Sequence, residues 1–172
     1  HHLNTKVETD KEVFFEKDET FNTFIYKTKS KKFLVIGSTS TLTTEYRFLS
    51  ADTPDGEFKI FQKRQRELDY AIAHYKDTFY VISNLNGAVN FKLQKTNENA
   101  TEKEHWIDVI PHRKNVLLED IEIFKEYLVE NKKFEEGFAI DLEALEQKIT
   151  PKTKDILKVT EPRTFATAIS DL

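Results

Sequence analysis

The sequence predicts an all-β fold of about three four-stranded antiparallel units, the blades of a partial β-propeller, because one pattern recurs along it. Its centre is Lys32-Phe33-Leu34-Val35-Ile36, then Thr78-Phe79-Tyr80-Val81-Ile82, then Glu126-Tyr127-Leu128-Val129-Glu130, with Val35, Val81 and Val129 spaced 46 and 48 residues apart. Each of these apolar runs follows another β-rich run and a polar turn containing Lys: 24–27, 71–76 and 121–125. A third run comes after each, at 46–49, 90–93 and 138–142, and a fourth at 58–61, 106–110 and 156–159. Four short strands at a fixed period form one sheet per repeat, and such sheets gain a core by stacking on their neighbours.

Taken in order, residues 1–11 form a lead-in, of which His1-His2 matches the end of an affinity tag, and the partial propeller is expected over 12–172. Glu12-Val13-Phe14-Phe15-Glu16 is predicted to be a strand, placed where the last strand of a preceding blade would fall. The first full blade is expected at about 21–63, with a Lys-rich hairpin tip at 27–32 and a turn at Thr53-Pro54-Asp55-Gly56, where Pro stands early and Gly late. A second blade is expected at about 68–112. It has a hairpin around Lys76-Asp77, a break at Asn86-Gly87, a polar loop at 97–104, and Trp106 opening the last strand where its ring can pack between blade faces. The third is expected at about 116–160. Within it, Leu142, Leu145 and Ile149 lie at helical spacing behind Asp141, so 141–149 reads equally as a short helix or as a strand running into a loop. Residues 164–169 read as the opening strand of a further blade.

Composition narrows the function classes. Of 172 residues, 33% are charged and 12% aromatic, and the net charge of −4 is mixed in sign, which leaves no electrostatic footprint for nucleic acid or for an anionic membrane. No apolar run approaches the roughly 18 residues that span a bilayer as a helix. The chain has no cysteine, so disulfides, thiolate metal sites and cysteine nucleophiles are excluded together.

Several segments carry a more specific resemblance. Thr43-Thr44-Glu45-Tyr46-Arg47-Phe48-Leu49, the stretch Ala51-Asp52-Thr53-Pro54-Asp55-Gly56-Glu57-Phe58, and Glu104-His105-Trp106 through Ile110-Pro111-His112-Arg113 into Val116-Leu117-Leu118-Glu119 resemble the N-terminal propeller of oligopeptidase B, or protease II, of the prolyl oligopeptidase class. The likeness runs from about residue 13 to 130 and continues more weakly to the end. Residues 68–74 keep the family's Tyr and His among fewer polar neighbours, and Asp120 stands where Gly is usual. The resemblance implies part of a seven-bladed propeller that caps an α/β-hydrolase domain and admits short peptides. In such an enzyme the hydrolase domain carries the Ser, Asp and His and cleaves after Lys or Arg. A second resemblance covers residues 140–154, which are similar to a segment of pyridoxal-phosphate aminotransferases, with no cofactor-binding context around them.

The residues themselves give no catalytic centre. A nucleophile elbow needs Gly-x-Ser-x-Gly, and Gly37, Gly56, Gly87 and Gly137 are too far apart to supply it. Ser38 reads as a turn hydroxyl; His74, His105 and His112, with no pair at ligand spacing, read as interface or solvent-facing histidines; Asp55 and Asp77 read as turn residues. The Lys-rich run 27–32 reads as a solvated tip, and Glu135-Glu136 as another that could touch basic peptides. The expectation is therefore no catalytic residue, metal or cofactor in this chain. Two functions remain: the gating and docking part of a serine oligopeptidase, or a stand-alone peptide- or protein-binding module. Expected partners are the parent's hydrolase domain, short basic peptides as the parent's substrates, and copies of the chain itself, because about three blades cannot close a ring that takes four to eight. Cytoplasm is the expected compartment, with the periplasm compatible because the natural N-terminus is not in view.

Overall fold

A computed structural model describes residues 4–124 and 128–134. Alternating apolar residues and polar turns produce two four-stranded antiparallel sheets and an antiparallel pair, each ordered as in the sequence. The first sheet contains β1 (Asn22–Lys27), β2 (Phe33–Thr39), β3 (Thr44–Ser50) and β4 (Lys59–Ile60). The second contains β5 (Tyr70–Tyr75), β6 (Thr78–Ser83), β7 (Lys92–Asn97) and β8 (Ile107–Ile110), and β9 (Val116–Ile123) pairs with β10 (Leu128–Phe134). Neighbours in sequence pair in every case, and the all-β antiparallel fold expected from the repeat is the fold found. The expected strands at 138–142, 156–159 and 164–169, the ambiguous 141–149 segment and Glu135-Glu136 lie outside the described residues.

Register fixes which side chains meet. In the first sheet Tyr26, Val35 and Phe48 align across three strands, and Phe24, Gly37 and Tyr46 form the next row on the same face. In the second, Ile72 aligns with Val81 and Gln94, and His74 with Phe79 and Thr96. These two faces pack together into one core with Phe61 and Trp106. The period of two puts Ile82 and Leu93 on the opposite face of the second sheet, where they pack with Leu118 and Ile121 of β9. The second sheet is thus packed on both faces, one against each neighbour, with its edge strand β8 left exposed.

Gly37 answers a local demand in that core. A Cβ there would run into the Phe24 ring and come within 2.9 Å of Tyr46 Cε1, so the rings of β1 and β3 close over a position that must be empty. Trp106 sits as expected at the head of the outer strand, its ring 5.3 Å from Tyr70 and its Nε1 donating to the Thr101 carbonyl at 2.7 Å.

Three expectations are corrected. Residues 12–16 form no strand; they carry exposed Val13 and Phe15 and are held by side chains, with Glu16 bonded to Arg64 at 2.6 Å and the Arg47 guanidinium over the Phe14 ring. The fourth strand of the first sheet shrinks to Lys59–Ile60, because Phe61 turns inward and is fully buried while its N–H still donates to the Tyr46 carbonyl at 2.8 Å. The third strand of the second sheet starts at Lys92, since Phe91 adopts a left-handed φ of 57° and Asn90 spends its side-chain amide on the Arg113 and Lys114 carbonyls.

The core makes one substitution decisive. Phe79 is fully buried, with ring centroids 5.2 Å from Phe33, 5.4 Å from Phe48 and 5.0 Å from Phe61. Phe79→Ala is expected to cost about 3–5 kcal/mol, read as a fall in the urea midpoint with little change in slope.

Candidate functional site

The residues that combine burial, charge and polar chemistry gather along the seam between the two sheets. At one end the β1–β2 turn reaches across to the β5–β6 hairpin and to the residue after β7. Alternation along β5 points Tyr70, Ile72 and His74 into the seam, and the His74 side chain is fully buried between the rings of Phe33 and Phe79, at 4.8 and 4.7 Å. Its Nε2 lies 2.7 Å from Glu98 Oε1 and its Nδ1 2.7 Å from Ser30 Oγ. An ionised Glu98 can only accept, so Nε2 carries the proton; a neutral ring then leaves Nδ1 to accept from the Ser30 hydroxyl. Lys32 Nζ bonds the same Glu98 oxygen at 2.6 Å and Asp77 at 3.2 Å.

Serine, histidine and glutamate in a hydrogen-bonded line are the parts of a nucleophile and its base. Here they serve as a strut. Rings on two sides hold the imidazole, Glu98 is shared with an ammonium group, and Ser30 Oγ is engaged with Thr28 Oγ1 at 2.9 Å inside its own turn. Burial lowers the His74 pKa below its ordinary 6.5, with Glu98 opposing the shift in part.

A second polar group closes the other end of the seam. Tyr70 Oη accepts from the Tyr46 amide at 3.1 Å and donates to the Gln62 carbonyl at 3.3 Å, while Thr44 Oγ1 donates to Asp69 at 2.6 Å. Burial raises the phenol pKa of Tyr70 and lifts that of Tyr46 to about 12, so both stay neutral hydrogen-bonding groups. Beside them Thr44, Tyr46, Asp69, Leu117 and Glu119 line a cleft of about 490 Å³ where the two sheets meet β9.

On the first sheet, Arg64 ties the lead-in to the fold. Its guanidinium lies 3.7 Å from the Phe21 ring centroid and bonds Glu16, which holds the Glu16 carboxyl at about 2. The Arg64 amide also donates to Glu45 at 3.0 Å, and Glu45 bonds Arg47 at 2.8 Å.

The candidate residues are therefore scattered by role. His74 is an interface histidine, Ser38 is buried in β2, His105 is exposed in a single 3-10 turn, and His112 lies half-buried after β8. Asp55 is exposed in its turn, and Asp77 is an exposed partner of Lys32. The Lys-rich tip differs from a purely solvated turn, because two of its four lysines reach neighbouring repeats: Lys29 pairs with Glu122, and Lys32 with Glu98 and Asp77. Among the described residues no group of three or more His, Asp or Glu is placed to hold a metal ion. Sequence reasoning missed Ser30 and Glu98. The one available signal was that His74 shares the core-facing parity of Tyr70 and Ile72.

The comparisons with known proteins agree with this architecture. Residues 1–133 match the family model described as prolyl oligopeptidase, N-terminal beta-propeller domain. The chain belongs to that family. Dipeptidyl aminopeptidase BI of Pseudoxanthomonas mexicana is 32% identical over 75% of this chain and 18% of its own length. Protease 2 of Moraxella lacunata is 30% identical over 75% of this chain and likewise 18% of its own. In structure, oligopeptidase B from Leishmania major superposes with a TM-score of 0.70 at 24% identity, covering 78% of this chain and 19% of that one. The chain thus spans under a fifth of the length of these relatives.

The strut has a pH signature. Because the folded pKa of His74 lies below the unfolded value of 6.5, the unfolded chain takes up the proton first as pH falls. The stabilisation is therefore complete above about 6.5 and is lost as pH falls from there through the lowered folded value. Urea unfolding across this range is expected to show the loss in the native chain and a flatter profile in His74→Gln.

Proposed function

We propose that this chain is the gating and docking part of a serine oligopeptidase that cleaves short peptides after Lys or Arg, with the chemistry performed by an α/β-hydrolase domain outside the 172 residues. The match of residues 1–133 to the prolyl oligopeptidase propeller carries the reading, supported by a relative named protease 2. In this reading the sheets are consecutive blades of a seven-bladed ring that sits on the hydrolase domain, and the ring admits extended peptides while excluding folded proteins. The proposed compartment is the cytoplasm.

The described residues supply the scaffold for such a role. Sheets stacked through a buried aromatic seam make a continuous wall, while the acidic groups beside the 490 Å³ cleft, Asp69 and Glu119, suit a basic peptide passing nearby. The purified chain is expected to give no turnover of fluorogenic Arg or Lys peptides. Turnover that is abolished by Ser30→Ala or His74→Ala would overturn the reading, since it would place a working nucleophile in the propeller itself.

Self-association is part of the same proposal. Ile25, 63% exposed, and Ile60, 40% exposed, lie in one cross-strand row with Ile36 and Arg47, on the face of the first sheet turned away from the seam. In a closed ring a neighbouring blade would cover such a face; in this chain alone it favours pairing with another copy. Light scattering over a dilution series is expected to show a mass that rises with concentration. A monomer whose unfolding is independent of concentration would argue instead for a face satisfied within the chain.

A further inference from the structure

We propose that Asn86-Gly87, in the loop between β6 and β7, is a site of spontaneous modification at which the asparagine side chain is converted to a carboxylate, with water as the only co-reactant. The chemistry needs a backbone nitrogen free to attack the side chain before it. Gly87 N, on losing its proton to solvent base, forms a bond to Asn86 Cγ; the Cγ–Nδ2 bond breaks and ammonia leaves, giving a cyclic imide. Water then opens the imide at either carbonyl, leaving an aspartyl or an isoaspartyl residue at position 86.

Of the nine asparagines in the sequence, only Asn86 precedes a glycine; the others precede Thr, Leu, Phe, Glu, Ala, Val or Lys, whose side chains hinder the approach. The structure adds three conditions. Both residues are exposed, and nothing lies within 4 Å of where a Cβ of Gly87 would be. Gly87 N takes no part in the hydrogen bonds of the loop, which run from Ala88 N to Asn84 O, from Val89 N to Gly87 O and from Phe91 N to Ala88 O. The neighbouring asparagines are tied down: Asn84 accepts from the Asp69 amide and donates to the Glu67 carbonyl, and Asn90 donates to the Arg113 and Lys114 carbonyls.

A second Xaa-Gly pair provides an internal contrast. Asp55-Gly56 could form the same imide with loss of water, but Gly56 N donates to the Thr53 carbonyl at 3.0 Å, and a Cβ position there would meet Leu49 Cδ1 and Thr53 O at 3.0 and 3.1 Å. The fold thus leaves one pair free to react and restrains the other. The loop that changes lines a cleft shared with Arg66 and Glu67, so the modification adds negative charge beside an exposed guanidinium, and the isoaspartyl product also lengthens the backbone of the turn.

The test is peptide mass mapping of the native chain during incubation in mildly alkaline buffer, with released ammonia measured in parallel. The peptide containing Asn86 is expected to gain the mass difference of O over NH and to split into two chromatographic products, while the Asp55 peptide stays single. Gly87→Ala is expected to slow the change roughly tenfold, because a side chain hinders attack and opposes the positive φ of this turn. Asn86→Gln, which leaves the backbone sequence of the turn intact, should abolish both the mass change and the ammonia. Faster change at Asn84 or Asn90, isomerisation at Asp55 ahead of Asn86, or an unaltered Asn86 after the other asparagines have reacted would each overturn the proposal.

Discussion

Everything described in this chain depends on the aromatic seam between the first two sheets. Phe33, Phe48, Phe61, Phe79, Tyr70 and Trp106 meet there largely edge to face or tilted, with centroids mostly 5–6 Å apart. Each such pair adds about 0.5–1.5 kcal/mol to the burial of its own area. An isolated small sheet has too little core to hold itself, and this seam gives two sheets one core. The demand propagates outward: Gly37 must lack a side chain to admit Phe24 and Tyr46, and Phe61 must leave the edge strand to complete the ring cluster.

A buried aromatic seam leaves polar groups with few ways to be satisfied, and two hydrogen-bonded groups sit at its ends. Tyr70 bridges the Tyr46 amide and the Gln62 carbonyl at one end, and Ser30, His74 and Glu98 bridge the sheets at the other. Buried polar groups in such positions define register, because a slip of one residue would strand each of them without a partner. Their cost is sensitivity to protonation at His74. The surface ion pairs that extend the same contacts, such as Lys29 with Glu122, contribute little individually.

Histidine, serine and glutamate stand in line here, but in a setting that packs them away from solvent. A catalytic base must be able to reach a substrate and change its charge, and His74 is enclosed by two phenyl rings and held neutral by burial. Its chemistry is spent on joining repeats. The family assignment and the geometry agree on one architecture, stacked sheets of a propeller domain.

The sequence by itself determined the order and antiparallel pairing of strands in the two four-stranded sheets. A period of two along Thr78-Phe79-Tyr80-Val81-Ile82 and its counterparts, with turn residues between, leaves adjacent antiparallel pairing as the low-cost solution, and Trp106 could be placed between faces from its position alone. The family was legible from the motifs around Glu104-His105-Trp106 and Val116-Leu117-Leu118-Glu119 for the same local reason. Only the tertiary structure decided what the non-repeating residues do. Residues 12–16 have the composition of a strand but no ladder partner, and Arg64, 48 residues away, holds them instead. Ser30 and Glu98 lie in turns whose composition suggests only solvent, yet the packing of one sheet on another brings them to His74 from 44 and 24 residues away. Local periodicity fixes which way a side chain points; which partner it meets is set by the stacking of sheets, and that is a contact between residues distant in the chain.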